Sequence, residues 1–377
     1  MTWIFQAVPT FFLVAGWATA VSWTRRRTDA GLSRQAWLRH RVARVLGPSA
    51  AYVVLVSAVV VLLQIAHVAS STLEYAGWAI AMHLWFLGVY LVVVSLTPIA
   101  VAAQRRWGLL VPAVSAVILV AVDVALRLGL ISHMGWLNYL LCWGVLYQLG
   151  IAWRNGLLTG PRPVLLAVGS AAVLALLIWQ GLYPVSMIGV PGQAVQNTSP
   201  PSAAMLAFGC AQAGLVIALA PALNRLLRGS AVQRVLTLAN SNVMALYLWH
   251  MIPVVLVAII GYPAGLLPQP PEGTAAWWLA RLEWVFVLGL VTAAELALLW
   301  WGRRLFAAPL PTFSAVPGRW AEPATLVGAA SAAYGLAYLA AAGFAPDGNF
   351  PWLAAATFAA GVLLVALAPS RAAIPTS

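Results

Sequence analysis

The stretch "NVMALYLWHMIPVV", Asn242 to Val255, sets one imidazole inside an apolar run that approaches the length of a membrane span. Runs of this kind recur from one end of the chain to the other. Over 377 residues the sequence is 63% hydrophobic and 7% charged, against roughly 25% charged in an ordinary soluble domain. Its mean hydropathy is +0.92. A soluble core cannot hide that much apolar surface, so the solvent for most of the chain is lipid. The runs are long and continuous rather than short and alternating, which argues against a membrane β-barrel. The expected fold class is all-α, a polytopic integral membrane helical bundle of about eleven transmembrane helices.

The spans fall roughly at 2–23, 49–69, 79–102, 108–130, 136–154, 163–183, 202–223, 240–261, 276–301, 323–344 and 351–368. Between them the arginines alternate. Arg25, Arg26, Arg27, Arg34, Arg39, Arg41 and Arg44 follow the first span. Arg105 and Arg106, then Arg154 and Arg162, then Arg225, Arg228 and Arg234, then Arg303, Arg304 and Arg319 occupy every second loop after that, and Arg371 ends the series. The intervening loops carry Glu74, Glu272, Asp347 and small polar residues. By the positive-inside rule the arginine-bearing loops are cytoplasmic, the C-terminus is inside and Met1 is outside. An outside start implies that an in-to-out helix precedes it.

The net charge is +12, with 20 arginines and no lysine. That bias follows from loop topology and a GC-rich coding preference, and nucleic acid is not an expected partner. Cys142 and Cys210 sit in apolar segments without metal-ligand spacing, and no cleavable signal peptide is evident. Asn197-Thr198-Ser199 fits a glycosylation sequon, a short and common pattern.

Ionisable residues inside spans are costly and so are the first places to look for chemistry. Asp123 and Arg127, four apart on a helix, are expected to neutralise each other. Glu283 has Arg281 nearby. Glu295 lacks a local partner and is expected to hydrogen-bond a neighbouring helix. His83 in "MHLWFLGVY" and His250 can act as acid or base near neutral pH. His250 is expected chiefly to hold structure through a hydrogen bond to another helix, with Trp249 facing lipid and His83 lining a central cavity. His40, His67 and His133 lie at span ends or in loops. No histidine is spaced for a metal.

The basic segment "RQAWLRHRVARVLGP" places Arg34, Arg41 and Arg44 on one helical face. Two readings fit: an interfacial helix that binds lipid headgroups, and a guanidinium site for phosphates such as those of coenzyme A.

Five stretches in order resemble the membrane-bound acyltransferase 3 family. They are "PTFFLVAGW" (Pro9 to Trp17), "RHRVARVLGP" through Arg41, Arg44 and Pro48, "HLWFLGVYL" (His83 to Leu91), "YLLCWGVLYQLGIAW" (Tyr139 to Trp153) and "ALYLWHM" (Ala245 to Met251). The loop "YPVSMIG…NTSPPS" is similar to an actinobacterial subgroup. The resemblance covers about residues 5–302. The family opens with a helix carrying an Arg and a His held essential for transfer, and this chain starts at the helix after it. That is the same helix missing from the arginine pattern. A gene start placed too late accounts for both, with an inactive remnant as the alternative.

The resemblance implies transfer of an acetyl or short acyl group from acyl-CoA to a hydroxyl of a carbohydrate, glycolipid or similar lipid acceptor. It implies Arg41 and Arg44, with Arg34, for binding acyl-CoA, and His83 and His250 for catalysis, with no metal. The expected organisation is an acyltransferase-like domain over 1–302 and two additional helices within 303–377, in the cell membrane. A transporter or flippase of lipid-linked sugars is the rival from another class, and it calls for broken mid-membrane helices and inverted repeats. A lipid-linked-sugar glycosyltransferase needs acidic residues in the first outer loops, where Glu74 stands alone.

Overall fold

A computed structural model describes residues 3, 6–26, 31–189 and 195–369. The expected outer placement of Met1 and inner placement of Arg371 lie outside them. The chain is 77% helical, and no strand occurs among the described residues, so the all-α reading holds. Eight helices are long and apolar enough to cross a membrane by length and composition. The other three expected spans are also helical, over Val8–Arg25 (α1), Gly135–Arg154 and the shorter Trp352–Leu367.

Why α1 and Gly135–Arg154 are less greasy is visible in what they touch. Two compact units make up the chain, Met1–Arg34 with Val92–Gln233 and Gln35–Leu91 with Arg234–Ser377. In the first unit the helices run on as α5 (Thr97–Trp107), α6 (Leu110–Arg127), α7 (Gly135–Arg154), α8 (Arg162–Trp179) and α9 (Ala203–Leu226). Here α1 packs along α7, and α8 along α9. Phe12 stacks on Trp143 with ring centroids 5.4 Å apart. Gly16 and Gly150 let the two backbones meet, since a Cβ on either would lie 2.0 Å from a carbonyl oxygen of the other helix. Such close approach is how membrane helices associate when lipid offers no hydrophobic drive. The Tyr147 hydroxyl lies 2.6 Å from that of Thr97, which itself donates to the Val94 carbonyl. A helix covered by protein in this way has little need of an apolar surface. By contrast α6 and α8 are 17% and 11% buried over their most apolar windows and face lipid with Val, Leu and Ile.

Asp123 does more than pair with Arg127. Its Oδ1 lies 3.4 Å from Arg127 Nε, while Oδ2 accepts shorter bonds from the Tyr183 hydroxyl (2.6 Å) and the Ala203 amide (2.8 Å). The carboxylate therefore ties the loop after α8 to the start of α9. Burial first, and then the Asp123 carboxylate, push the Tyr183 pKa well up, so this hydroxyl stays a donor. Ser202 caps α9 by accepting from Met205 N, and donates to Asn197 Oδ1. Asn197 is 1% exposed and its amide nitrogen donates to the Pro184 and Ser186 carbonyls, so the sequon's acceptor atom is already engaged.

The second unit is built on α2 (Arg34–Ile65), a 32-residue helix. The basic segment is its first part, not a separate interfacial helix. Pro48 sits inside it without breaking it, and its missing N–H leaves the Arg44 carbonyl outside the ladder. Residues after 307 strap across α2: Leu310 N donates to Ala43 O, and a Cβ at Gly47 would meet Ala308 O at 2.2 Å. Buried Arg39 donates to the Pro311 carbonyl at 2.6 Å. The unit continues with α3 (Ser70–Ala81), α4 (Trp85–Ser95), α10 (Ser230–Trp249), α11 (Met251–Gly261), α12 (Ala275–Trp301), α13 (Arg303–Phe306), α14 (Ala321–Ala342) and α15 (Trp352–Leu367).

Candidate active site

Two spans of the second unit break, and a histidine stands at each break. The span Ser70–Ser95 is interrupted by a 3₁₀ turn, Met82–Leu84, which carries His83. The span around "ALYLWHM" ends one helix at Trp249 and begins the next at Met251, with His250 between. Pro253 explains the second break, because it has no N–H for the Trp249 carbonyl. The Tyr247 hydroxyl donates to the His83 carbonyl, joining the two interruptions. The imidazole rings lie 5.1 Å apart, centroid to centroid.

The hydrogen bonds of the two rings differ. His250 Nδ1 is 2.7 Å from the Tyr247 carbonyl oxygen. A carbonyl only accepts, so the neutral ring carries its proton on Nδ1 and keeps a lone pair on Nε2. The expected bond to another helix is thus replaced by one within its own turn. His83 has no close side-chain partner for either buried ring nitrogen among the described residues, and the Leu248 carbonyl is the acceptor its ring reaches. Its ring is enclosed by Tyr247 at 5.3 Å and Tyr52 at 5.8 Å. A buried imidazole held only by a backbone carbonyl is the kind of group that needs an explanation.

Around the pair the surroundings are aromatic. Tyr52 donates to the Ile80 carbonyl at 2.6 Å. Trp249 does not face lipid as expected: it is 6% exposed, packed on Tyr52 at 5.1 Å and Phe306 at 5.4 Å. An indole sandwiched this way gains far more from protein contact than from lipid. Glu295 on α12 has both carboxylate oxygens buried and unpartnered, and lies within electrostatic reach of Tyr52. The hydrogen bond expected for it is absent among the described residues.

Phe86 and Tyr90, four apart on α4, share one helical face just after the turn that carries His83. Phe86 stacks on Tyr90 at 6.2 Å and meets Tyr247 at 5.0 Å. Tyr90, about 10 Å along the axis from His83, feels the charge of Arg41. Arg41 is half-buried with its guanidinium 5.6 Å above the Trp37 ring, whereas Arg44 and Arg34 are exposed. An aromatic ladder therefore leads from the histidines toward Arg41. Arg44 stands one turn from Arg41. Arg34 is roughly 10 Å farther back along α2 and is not brought to the histidines. Among the described residues no three His, Cys, Asp or Glu side chains gather as a metal site.

A family model described as an acyltransferase domain matches residues 1–300. The chain belongs to the acyltransferase 3 family. A search of curated proteins and one of solved structures each find no match. The acyltransferase is a multi-pass membrane enzyme, and the match takes in His83, His250, Arg34, Arg41, Arg44 and Glu295. The transporter reading called for broken mid-membrane helices, whereas Ser70–Ser95 and Val243–Gly261 each remain one span with a local interruption. Sequence reasoning passed over Tyr52, a lone aromatic ring in "SAAYVVLV" with no spacing to mark it.

Proposed function

We propose that the enzyme moves an acetyl or other short acyl group from acyl-CoA to a hydroxyl of a carbohydrate, glycolipid or similar acceptor. The histidine pair carries this reading. The acceptor hydroxyl gives its proton to Nε2 of His250 as its oxygen attacks the thioester carbonyl. The oxyanion of the tetrahedral intermediate takes a hydrogen bond from a ring N–H of His83. Collapse breaks the C–S bond, and the proton on His250 passes to the thiolate. Ester and free thiol form with no net gain or loss of protons.

Arg41 and Arg44 hold the phosphates of the donor in this scheme, with Arg34 at the margin. Arg41→Ala or Arg44→Ala is expected to weaken acyl-CoA binding tenfold to a hundredfold, since a charge-assisted contact contributes about 1.5–3 kcal/mol. Arg26→Ala is the control, because that guanidinium lies 3.3 Å over the Trp23 ring in the first unit. Equal losses at all three positions, measured by equilibrium binding, would assign the segment to lipid headgroups instead.

A cytosolic donor requires the arginine-bearing loops and the C-terminus to be inside. A cysteine at exposed Arg228 should resist an impermeant thiol reagent added outside, and one at exposed Asn349 should react. The opposite labelling pattern would reverse the topology and remove the donor site from the cytosol.

Glu295 completes the polar set as the carboxyl group that acts on Tyr52 beside the histidines. A buried carboxylate lacking hydrogen bonds costs a few kcal/mol. Glu295→Gln should therefore raise the unfolding temperature while lowering transfer about tenfold or more, the trade expected where stability is given up for function. A variant that is both stabilised and fully active would make Glu295 a bystander.

A further inference from the structure

At the far end of α2 the second unit holds an open cavity of about 620 Å³. It lies 20 residues beyond Arg44, about 30 Å along the helix, which is the thickness of a hydrocarbon core. From Ser70 to His83 is roughly 20 Å, so this cavity is distinct from the histidine site. Gln64, His67 and Ser70 line one side, and Asn349, Phe350 and Trp352 the other.

The two sides are clamped together. Gln64 Nε2 donates to the Gly348 carbonyl at 2.7 Å, and Phe344 N to Gly77 O at 3.2 Å. Gly348 adopts φ 76 and sits so close to Ser70 that a Cβ there would lie 2.5 Å from the serine Cβ. Of the three non-glycine residues with positive φ among the described residues, His67 lines the cavity and Asp347 adjoins it. Strain of this kind persists where the surroundings hold it, and it concentrates at binding sites.

The chemistry of the lining narrows the ligand. Gln64 and Asn349 each donate their amide nitrogen to a backbone carbonyl, at 2.7 Å and 3.2 Å, which presents the amide oxygens as acceptors. Ser70 adds a hydroxyl and His67 an imidazole. No Arg, Lys, Asp or Glu lines the cavity, so nothing there selects an anion or a cation. Trp352 is 69% exposed, and Phe350 meets it edge-on with centroids 4.7 Å apart, leaving an indole face bare. Neutral donors and acceptors beside an open aromatic face suit a ligand that has many hydroxyls around an apolar ring face.

We infer that this cavity is a carbohydrate-binding subsite that takes a neutral pyranose ring. The inference rests on the proposed carbohydrate acceptor for its place in the reaction. Four of its ten lining residues, Gly348, Asn349, Phe350 and Trp352, lie past the 1–300 family match.

The test is photo-crosslinking in lipid nanodiscs free of sugar detergents, with diazirine derivatives of glucose, galactose and N-acetylglucosamine. Label should map to residues 64–73 and 345–352 and be competed by the parent sugar but not by glycerol. Trp352→Ala and Asn349→Ala, both exposed positions that need no refolding of the core, should each cut it roughly tenfold. Absence of label with all three sugars would overturn the inference. So would label unchanged in both variants, which would leave Trp352 as a headgroup-level anchor only. Acyl transfer measured in parallel separates the two claims. Label without any transfer from acyl-CoA sinks the donor reading alone, and transfer to sugars without label sinks the subsite alone.

Discussion

His250→Ala lowers kcat by about 10²–10⁴-fold, the range for loss of a general base, and leaves acyl-CoA binding near its original strength. The reason is the single hydrogen bond from Nδ1 to the Tyr247 carbonyl. It fixes which nitrogen holds the proton and leaves Nε2 basic, on a ring 5.1 Å from that of His83. His250→Gln keeps a polar side chain at the break but has no basic nitrogen, so it should be nearly as slow. His83→Gln retains an N–H donor, and its loss should be smaller, about tenfold to a hundredfold. The measurement is transfer to acceptor in membranes, alongside equilibrium binding of acyl-CoA and a melting curve for each variant. If the Gln variant at 250 folds and turns over normally, the base lies elsewhere.

Gly16→Val should be the most damaging change in the first unit. A Cβ at that position already lies 2.0 Å from the Tyr147 carbonyl oxygen, and both groups belong to rigid helix backbone. Relief comes only by moving α1 away from α7, which separates the Phe12–Trp143 stack. Overpacking that forces backbone apart costs about 3 kcal/mol or more, enough to lower both yield and unfolding temperature sharply. Gly144 on the same α7 has nothing within 4 Å of the equivalent position. Gly144→Ala should be neutral or slightly stabilising, because alanine favours helix by about 1 kcal/mol. Similar melting curves for Gly16→Val and the parent would mean that the two helices do not meet there.

The spans were legible because lipid imposes a length and a composition on any helix it surrounds, as in "VLLAVGSAAVLALLIW" of α8. Where protein replaces lipid the signal weakens, and α1 and α7 were read at 2–23 and 136–154 from less apolar runs of span length. The basic segment was readable as helix but not as the same helix as the following span, since Pro48 usually argues for a boundary. Side-chain partnerships across long stretches of sequence were not readable at all. Nothing in "MHLWFLGVY" announces that His83 meets His250, or in "AAELALL" that Glu295 stays without a hydrogen bond. The Asp123–Arg127 spacing correctly put the two together but hid the stronger bonds from Tyr183 and Ala203, which come from a loop with no periodicity to read. Trp249 was misplaced because its covering partners, Tyr52 and Phe306, come from distant parts of the sequence.

Helix α12 is 6% buried over its most apolar window, and its flanks offer Leu279, Leu282, Phe286, Leu290 and Leu298 to the surroundings. With so little relief to interlock, a smooth cylinder of this kind has almost no preferred azimuth about its own axis. Glu295 supplies one. Rolling the helix by half a turn would carry a carboxyl group from the protein interior into hydrocarbon, at a cost of about 3 kcal/mol on insertion scales for an acidic side chain at mid-membrane. One polar atom pair thus acts as the rotational detent for 27 residues.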